Sequence, residues 1–122
     1  MLLMRNMFYN CQNLNKINLS NFETKNVTNM SFIFFDCQNL KELDLSNFET
    51  KNVTDMSFMF YDCQNLNELN LSNFETKNVT DMNNMFYECK SLKKEKIIAN
   101  DKNLISKFEQ NYLLNLNRAL LI

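Results

Sequence analysis

The apolar positions of this chain change period inside a short, recurring stretch. In "NVTNMSFIFFDC" (residues 26–37), Val27, Met30, Ile33, Phe34 and Cys37 recur at steps of three and four, a spacing that predicts one face of a helix. Asn26 stands where a side-chain oxygen caps the first turn. In the next two copies Asn52 and Asn78 are followed three residues later by Asp55 and Asp81, acids favourably placed near a helix start. In "LKELDLSNF" (residues 40–48) the apolar residues Leu43 and Leu45 alternate with polar side chains at 42, 44 and 46, which predicts a short strand with one face buried. The expected unit is therefore a helix followed by a strand.

That unit is written several times. Met4, Met30, Met56 and Met82 fall in one column at a step of 26, as do Phe8, Phe34, Phe60 and Phe86, and Cys11, Cys37, Cys63 and Cys89. Self-similarity at this period is the signature of stacked repeats, each too small to bury its own apolar face and each resting on its neighbours. Toward the C-terminus the register degenerates. Ile105 occupies the valine column, Phe108 the methionine column and Tyr112 the phenylalanine column, whereas Glu95 replaces a strand leucine and Asn115 replaces cysteine. Residues 1–98 are expected to form the repeat body, and residues 99–122 a degenerate terminal cap.

The pattern L-x-x-L-x-L at Leu40, Leu43 and Leu45, and again at Leu66, Leu69 and Leu71, resembles a leucine-rich repeat. The longer unit "NVTDMSFMFYDCQNLNELNLSNFETK" (residues 52–77) is similar to the repeat of BspA-like surface proteins, including those of mycoplasma-type surface lipoproteins. The resemblance covers about residues 4–98. It implies an α/β leucine-rich-repeat solenoid of about four helix-strand coils, with a short parallel sheet and a C-terminal helical cap. It further implies display at a cell surface or secretion, and a role in adhesion or host contact. The first residues, "MLLMRNMFYN", lack the basic region and long apolar core of a signal peptide, and Met1 falls in the valine column, inside a repeat. A cytoplasmic location therefore stays open, and the chain reads as a fragment of a longer protein.

Composition narrows the function classes. The chain has 122 residues, 45% of them hydrophobic, and a net charge of −1, which suits one folded domain. No apolar run is long enough to span a membrane, so membrane insertion by this segment is not expected. With no Gly and no Pro, turns fall to Asn, which tolerates a left-handed backbone. Charge is segregated: residues 1–89 hold 6 Lys and Arg against 11 Asp and Glu, and residues 90–122 hold 7 against 3. The basic cluster at Lys90, Lys93, Lys94 and Lys96 reads as a solvated face, and a nucleic-acid partner is not expected.

No chemistry of its own is expected from the chain. Histidine is absent, and the four cysteines lie 26 residues apart rather than in C-x-x-C pairs, which argues against zinc. If the cysteines end helical stripes on helices packed about 8–10 Å apart, they are too distant to bridge and act as small buried apolar groups. Every Ser, Asp and Glu of the body recurs in a column with no singular partner, so neither an enzyme nor a cofactor is expected. The acidic column Asp36, Asp62 and Glu88 reads as a solvated face rather than a calcium site, and the N-x-S/T triplets at Asn26, Asn52 and Asn78 as helix caps.

Two surfaces are candidates for a protein or glycan partner. Lys16, Asn18, Glu42, Asp44, Glu68 and Asn70 alternate with buried leucines, point out from the strand and differ between copies. Phe32 and Phe58 would stand opposite the buried stripe of an ideal helix, as an exposed pair, or else be partly buried by an irregular one. The other reading of the chain is a structural spacer, or a module that self-associates through open coil ends.

Overall fold

The structure, a computed structural model, describes residues 2–120. Met1, placed above in the valine column, lies outside the described residues, as do the last two residues of the apolar C-terminus. The elements are short. Strands β1 (Leu2–Leu3) and β2 (Val27–Asn29) pair in parallel; β3 (Glu42–Asp44), β4 (Glu68–Leu71) and β5 (Ile97–Ala99) form a three-stranded parallel sheet in that order; a 3-10 turn, Lys94–Lys96, precedes β5; and α1 spans Lys102–Leu120.

The expected fold class is corrected here. Among the described residues α1 is the one α-helix, the three-stranded sheet is open, and no repeat contains a helix, so a leucine-rich-repeat solenoid of four helix-strand coils is not what this sequence forms. The stretch that carries the helical spacing is a succession of turns. Phe32 and Asp36 have φ of 60° and 62°, Phe58 and Asp62 have 57° and 62°, and the outer copies repeat this at Asn6, Asn10, Asn84 and Glu88. Two left-handed residues four apart break any α-helix. Between them the chain closes local turns, Phe35 N–H to Phe32 C=O and Cys37 N–H to Phe34 C=O. Successive turns return side chains to one side at steps of three and four, so Met30, Ile33, Phe34 and Cys37 are all fully buried without a helix.

The amide groups left over from the turns bind the repeats to one another. Met30, Phe32, Phe34 and Asp36 donate N–H to the carbonyls of Asp55, Ser57, Met59 and Tyr61 at 2.7–3.0 Å, and Met56, Phe58, Phe60 and Asp62 donate in the same way to Asp81, Asn83, Met85 and Tyr87. Each 26-residue repeat is thus one tier of a stack. Asn52 and Asn78 do not cap helices. Their Nδ2 atoms donate to the carbonyls of Lys25 and Lys51 in the tier before, at 2.9 and 2.6 Å. The acid column caps nothing helical either, since Asp55 Oδ1 accepts from the N–H of Ser57, two residues on, at 2.9 Å.

Rings stack along the same axis. Phe34 lies between Phe8 and Phe60, and Phe60 faces Phe86, with centroids 5.5–5.9 Å apart and planes within 16°. This column and the leucines of β3 and β4 lie in one core with the buried methionines, valines and cysteines of the turn stretches. The cysteines form another column, unbridged, with Cys37, Cys63 and Cys89 donating Sγ–H to the carbonyls of Phe8, Phe34 and Phe60 at 3.0–3.1 Å. They are unbridged for a reason other than the helix spacing expected above. Tiers joined by main-chain hydrogen bonds lie only about 4.8 Å apart, and each thiol is aimed at a carbonyl instead of at the next sulfur. Burial pushes Cys37 up to about 11 and Cys89 up to about 12, so the thiols stay protonated near neutral pH.

At the C-terminal end the pairing slips by two residues. Leu69 pairs with Ile97 and Leu71 with Ala99, where a strict step of 26 would have set Glu95 against Leu69. The two extra residues fall in the 3-10 turn and let an apolar pair replace the charged one.

Candidate binding faces

The strand face gathers all six side chains singled out there. Lys16, Asn18, Glu42, Asp44, Glu68 and Asn70 line one open groove of about 710 Å³, although Lys16 and Asn18 lie before the first strand of the sheet. Direct pairing of β3 with β4 sets Glu42 opposite Glu68 and Asp44 opposite Asn70. Two carboxylates opposed on one face repel. Lys16 Nζ relieves this from one side, 3.2 Å from Glu42 Oε1.

The second column of the groove has a structural duty that the sequence reading did not assign. Asn18, Asp44 and Asn70 each accept the N–H of a serine two residues on, Ser20, Ser46 and Ser72, at 2.9–3.0 Å. These bonds turn the chain out of the strand. Hydrogen bonding from the Ser46 side chain, together with that backbone N–H, holds the Asp44 carboxyl below the usual carboxylate range. The groups with no such duty are Glu42, Glu68 and Lys16. Sequence reasoning also missed Ile98, which pairs with Asn70 and is 56% exposed in the same groove. The signal was present in "KIIAN", an apolar pair just after a lysine cluster, but only the two-residue slip puts Ile98 in this column.

Phe32 and Phe58 sit apart from that groove. They belong to turns rather than a helix, are half-buried, and stack at 4.8 Å with planes 8° apart. Beside them runs a longer column, Tyr9, Phe35, Tyr61 and Tyr87, stacked at 4.7, 4.8 and 5.6 Å. The recurrence of an aromatic at a step of 26 was the available signal for it. The two columns interlock at tilted contacts such as Phe32 to Phe35, at 5.4 Å. Because each ring face lies on the next ring, the surface presents mostly ring edges. Arg118 closes the last tier, its Nη1 2.9 Å from Tyr87 Oη.

The acid column lies along the same side. Gln38 bridges Asp36 Oδ1 and Asp62 Oδ2 at 2.7 and 3.2 Å, with Gln12 and Gln64 repeating the contact at its ends. Burial works to raise Asp36, but hydrogen bonds from Asp62, Gln12 and Gln38 outweigh it and hold that carboxyl low. Asp62, more enclosed and beside Asp36, is raised. The carboxylates are thus spoken for by amides. Among the described residues no group of three or more His, Cys, Asp or Glu is placed to hold a metal ion, and no helix is long and apolar enough to cross a membrane.

No curated protein and no solved structure matches the chain. One family model does, over residues 2–117, which takes in every tier and most of α1. By that match the chain belongs to the family DUF285, described as Mycoplasma protein of unknown function.

Proposed function

We propose that this chain is a non-enzymatic binding module of the BspA-like surface-protein kind, part of a longer protein, and that it holds a protein or glycan partner in the strand-face groove at a cell surface or after secretion. The observation that supports this reading most is the convergence of side chains that packing does not require. Glu42, Glu68 and Lys16 are exposed, stabilise no core, and meet the exposed Ile98 around one groove. Carboxylates and an ammonium suit the hydroxyls of a glycan or the polar rim of a protein, and the exposed isoleucine on β5 adds apolar contact at one end of the groove. The resemblance of the 26-residue repeat to BspA-like surface proteins points the same way; the DUF285 match, a family of unknown function, carries no function of its own.

The test is a charge reversal. Glu42→Lys combined with Glu68→Lys leaves the thermal transition in place and abolishes attachment in a cell-adhesion assay or on a glycan array, since reversed charge at an interface rejects the original partner. A second reading, favoured by the stacked aromatic stripe, has the partner lie along the ring edges. If the double lysine variant attaches undiminished while Phe32→Ser with Phe58→Ser does not, the aromatic side is the binding face. If the parent chain itself attaches to nothing in these assays, the chain is a structural spacer.

A further inference from the structure

The direction of the hydrogen bonds makes the two ends of the stack chemically different. Main-chain N–H groups of the turn stretch point toward the following tier and carbonyls toward the preceding one. In the first tier the carbonyls of Arg5, Met7 and Tyr9 are the counterparts of Ser31, Ile33 and Phe35, which accept from Asn6, Phe8 and Asn10. Among the described residues the three first-tier carbonyls have no donor. The side-chain ladders stop at the same place. Asn39 and Asn65 reach back to Gln12 and Gln38, and Asn52 and Asn78 to Lys25 and Lys51, whereas the matching amides of Asn13 and Asn26 are exposed and have no acceptor among the described residues.

The apolar groups of this tier are cut open in step with the polar ones. Met7 and Phe22 are 46% and 37% exposed, and their counterparts Ile33 and Phe48 are fully buried. Tyr9 stacks on Phe35 through one ring face only, at 4.7 Å. Among the described residues Cys11 is the one thiol of the four that donates to no carbonyl.

We propose that this face is a docking surface for one further tier of the same 26-residue pattern, stacked in tandem and in parallel, with its N–H edge on the first-tier carbonyls. The occupant follows from the complement. The face needs N–H donors at every second residue, carbonyls for Asn13, Asn26 and Cys11, and a ring over Tyr9 and Phe8. The established contact between the first and second tiers supplies that set. A second copy of this chain does not. Head to head it sets carbonyls against carbonyls, and its N–H end is already covered by α1, where Asn111 and Asn115 satisfy Phe86 and Glu88. The proposal rests on the tier geometry and is independent of the groove.

The experiment adds the sequence of residues 53–78, which keeps the step of 26 into Met1, ahead of the full chain and compares it with the same extension in scrambled order. The ordered extension is expected to raise Tm by at least about 5 °C, with slowed amide exchange in the added residues and Tyr9 withdrawn from solvent. The chain without extension is expected to sediment as a monomer. Equal Tm for ordered and scrambled extensions, or an added tier whose amides exchange freely, overturns the proposal. A concentration-dependent dimer of the unextended chain, with Tyr9 protected in it, assigns the face to a second copy and overturns the tandem assignment.

Discussion

The first tier and the C-terminal helix end the same stack in opposite ways. Among the described residues nothing covers the outer face of the first tier, and Met7, Tyr9 and Phe22 are 46%, 47% and 37% exposed. At the other end α1 replaces a fifth tier and imitates its edge. Asn111 Oδ1 accepts the buried N–H of Phe86 at 3.0 Å, and Asn115 Oδ1 that of Glu88 at 3.2 Å, where the next tier's main-chain carbonyls would have stood. Asn111 and Asn115 are one helical turn apart, so a single helix face supplies both acceptors. The ring column is closed rather than continued, with Phe108 meeting Phe86 edge-on at 84°. Asp101, just before α1, receives both the N–H and the hydroxyl of Thr76 and the N–H of Asn103, tying the helix start to the last full tier. The contrast teaches that a stack with polar direction needs a cap of one chemistry only: its donor end takes acceptors on a helix, and such a helix would not serve the acceptor end.

The largest expected effect tests whether the core is as uneven as the ends. Phe60 is fully buried between Phe34 and Phe86, and Phe60→Ala is expected to cost about 3–5 kcal/mol in denaturant unfolding. Phe8 occupies the same column at the open end and is only half-buried, so Phe8→Ala should cost about 1–1.5 kcal/mol. Equal costs would mean that the first tier is as enclosed as the third, and the comparison of ends would fail.

The cap comes next. Asn111→Ala leaves the N–H of Phe86 buried without an acceptor, which is expected to lower stability by about 1–3 kcal/mol and to speed exchange of that amide. Asn115 is less enclosed and its bond is longer, so Asn115→Ala should fall below that range. If Asn111→Ala melts like the parent chain, α1 covers the stack by apolar contact alone.

How far the sequence carried these contrasts depends on the column. The step of 26 and the buried set were legible because packing repeats with the tiers, so Met30, Phe34, Cys37, Leu43 and Leu45 are buried as their spacing requires. The strands at 42–44 and 68–71 fall where Leu43 and Leu69 alternate with polar neighbours. The helix expected over residues 26–37 was not there, because a spacing of three and four does not distinguish a helix from a run of turns. The clue lay in the outer copies. Asn6 and Asn84 share a column with Phe32 and Phe58, and Asn10 shares one with Asp36 and Asp62, marking the two places where the backbone is left-handed. Asn111 and Asn115 gave no such signal, since an amide standing in for a missing carbonyl has meaning only once the ladder it ends is known. The six strand-face positions did converge on one groove, yet Asn18, Asp44 and Asn70 proved to hold turns, a role their exposed alternation concealed.

The smallest expected effect is the one that bears most directly on the open end. Asn39 and Asn13 occupy the same column, are both exposed, and differ in one respect: Asn39 Nδ2 donates to the Gln12 carbonyl across the first tier boundary, and Asn13 Nδ2 has no acceptor among the described residues. Asn39→Ala should therefore cost about 0.5–1.5 kcal/mol, the net worth of one such bond. Asn13→Ala should stay within about 0.5 kcal/mol of the parent, as for a surface residue away from any contact. Measured in the chain extended by one ordered tier, Asn13 acquires a carbonyl in the position that Gln12 holds for Asn39, and the cost of Asn13→Ala should rise to that of Asn39→Ala. The pair of substitutions thus reads out occupancy of the face without disturbing the core. Should Asn13→Ala already cost as much as Asn39→Ala in the unextended chain, its amide is bonded in solution, and the first tier is not the free acceptor edge on which the comparison of the two ends depends.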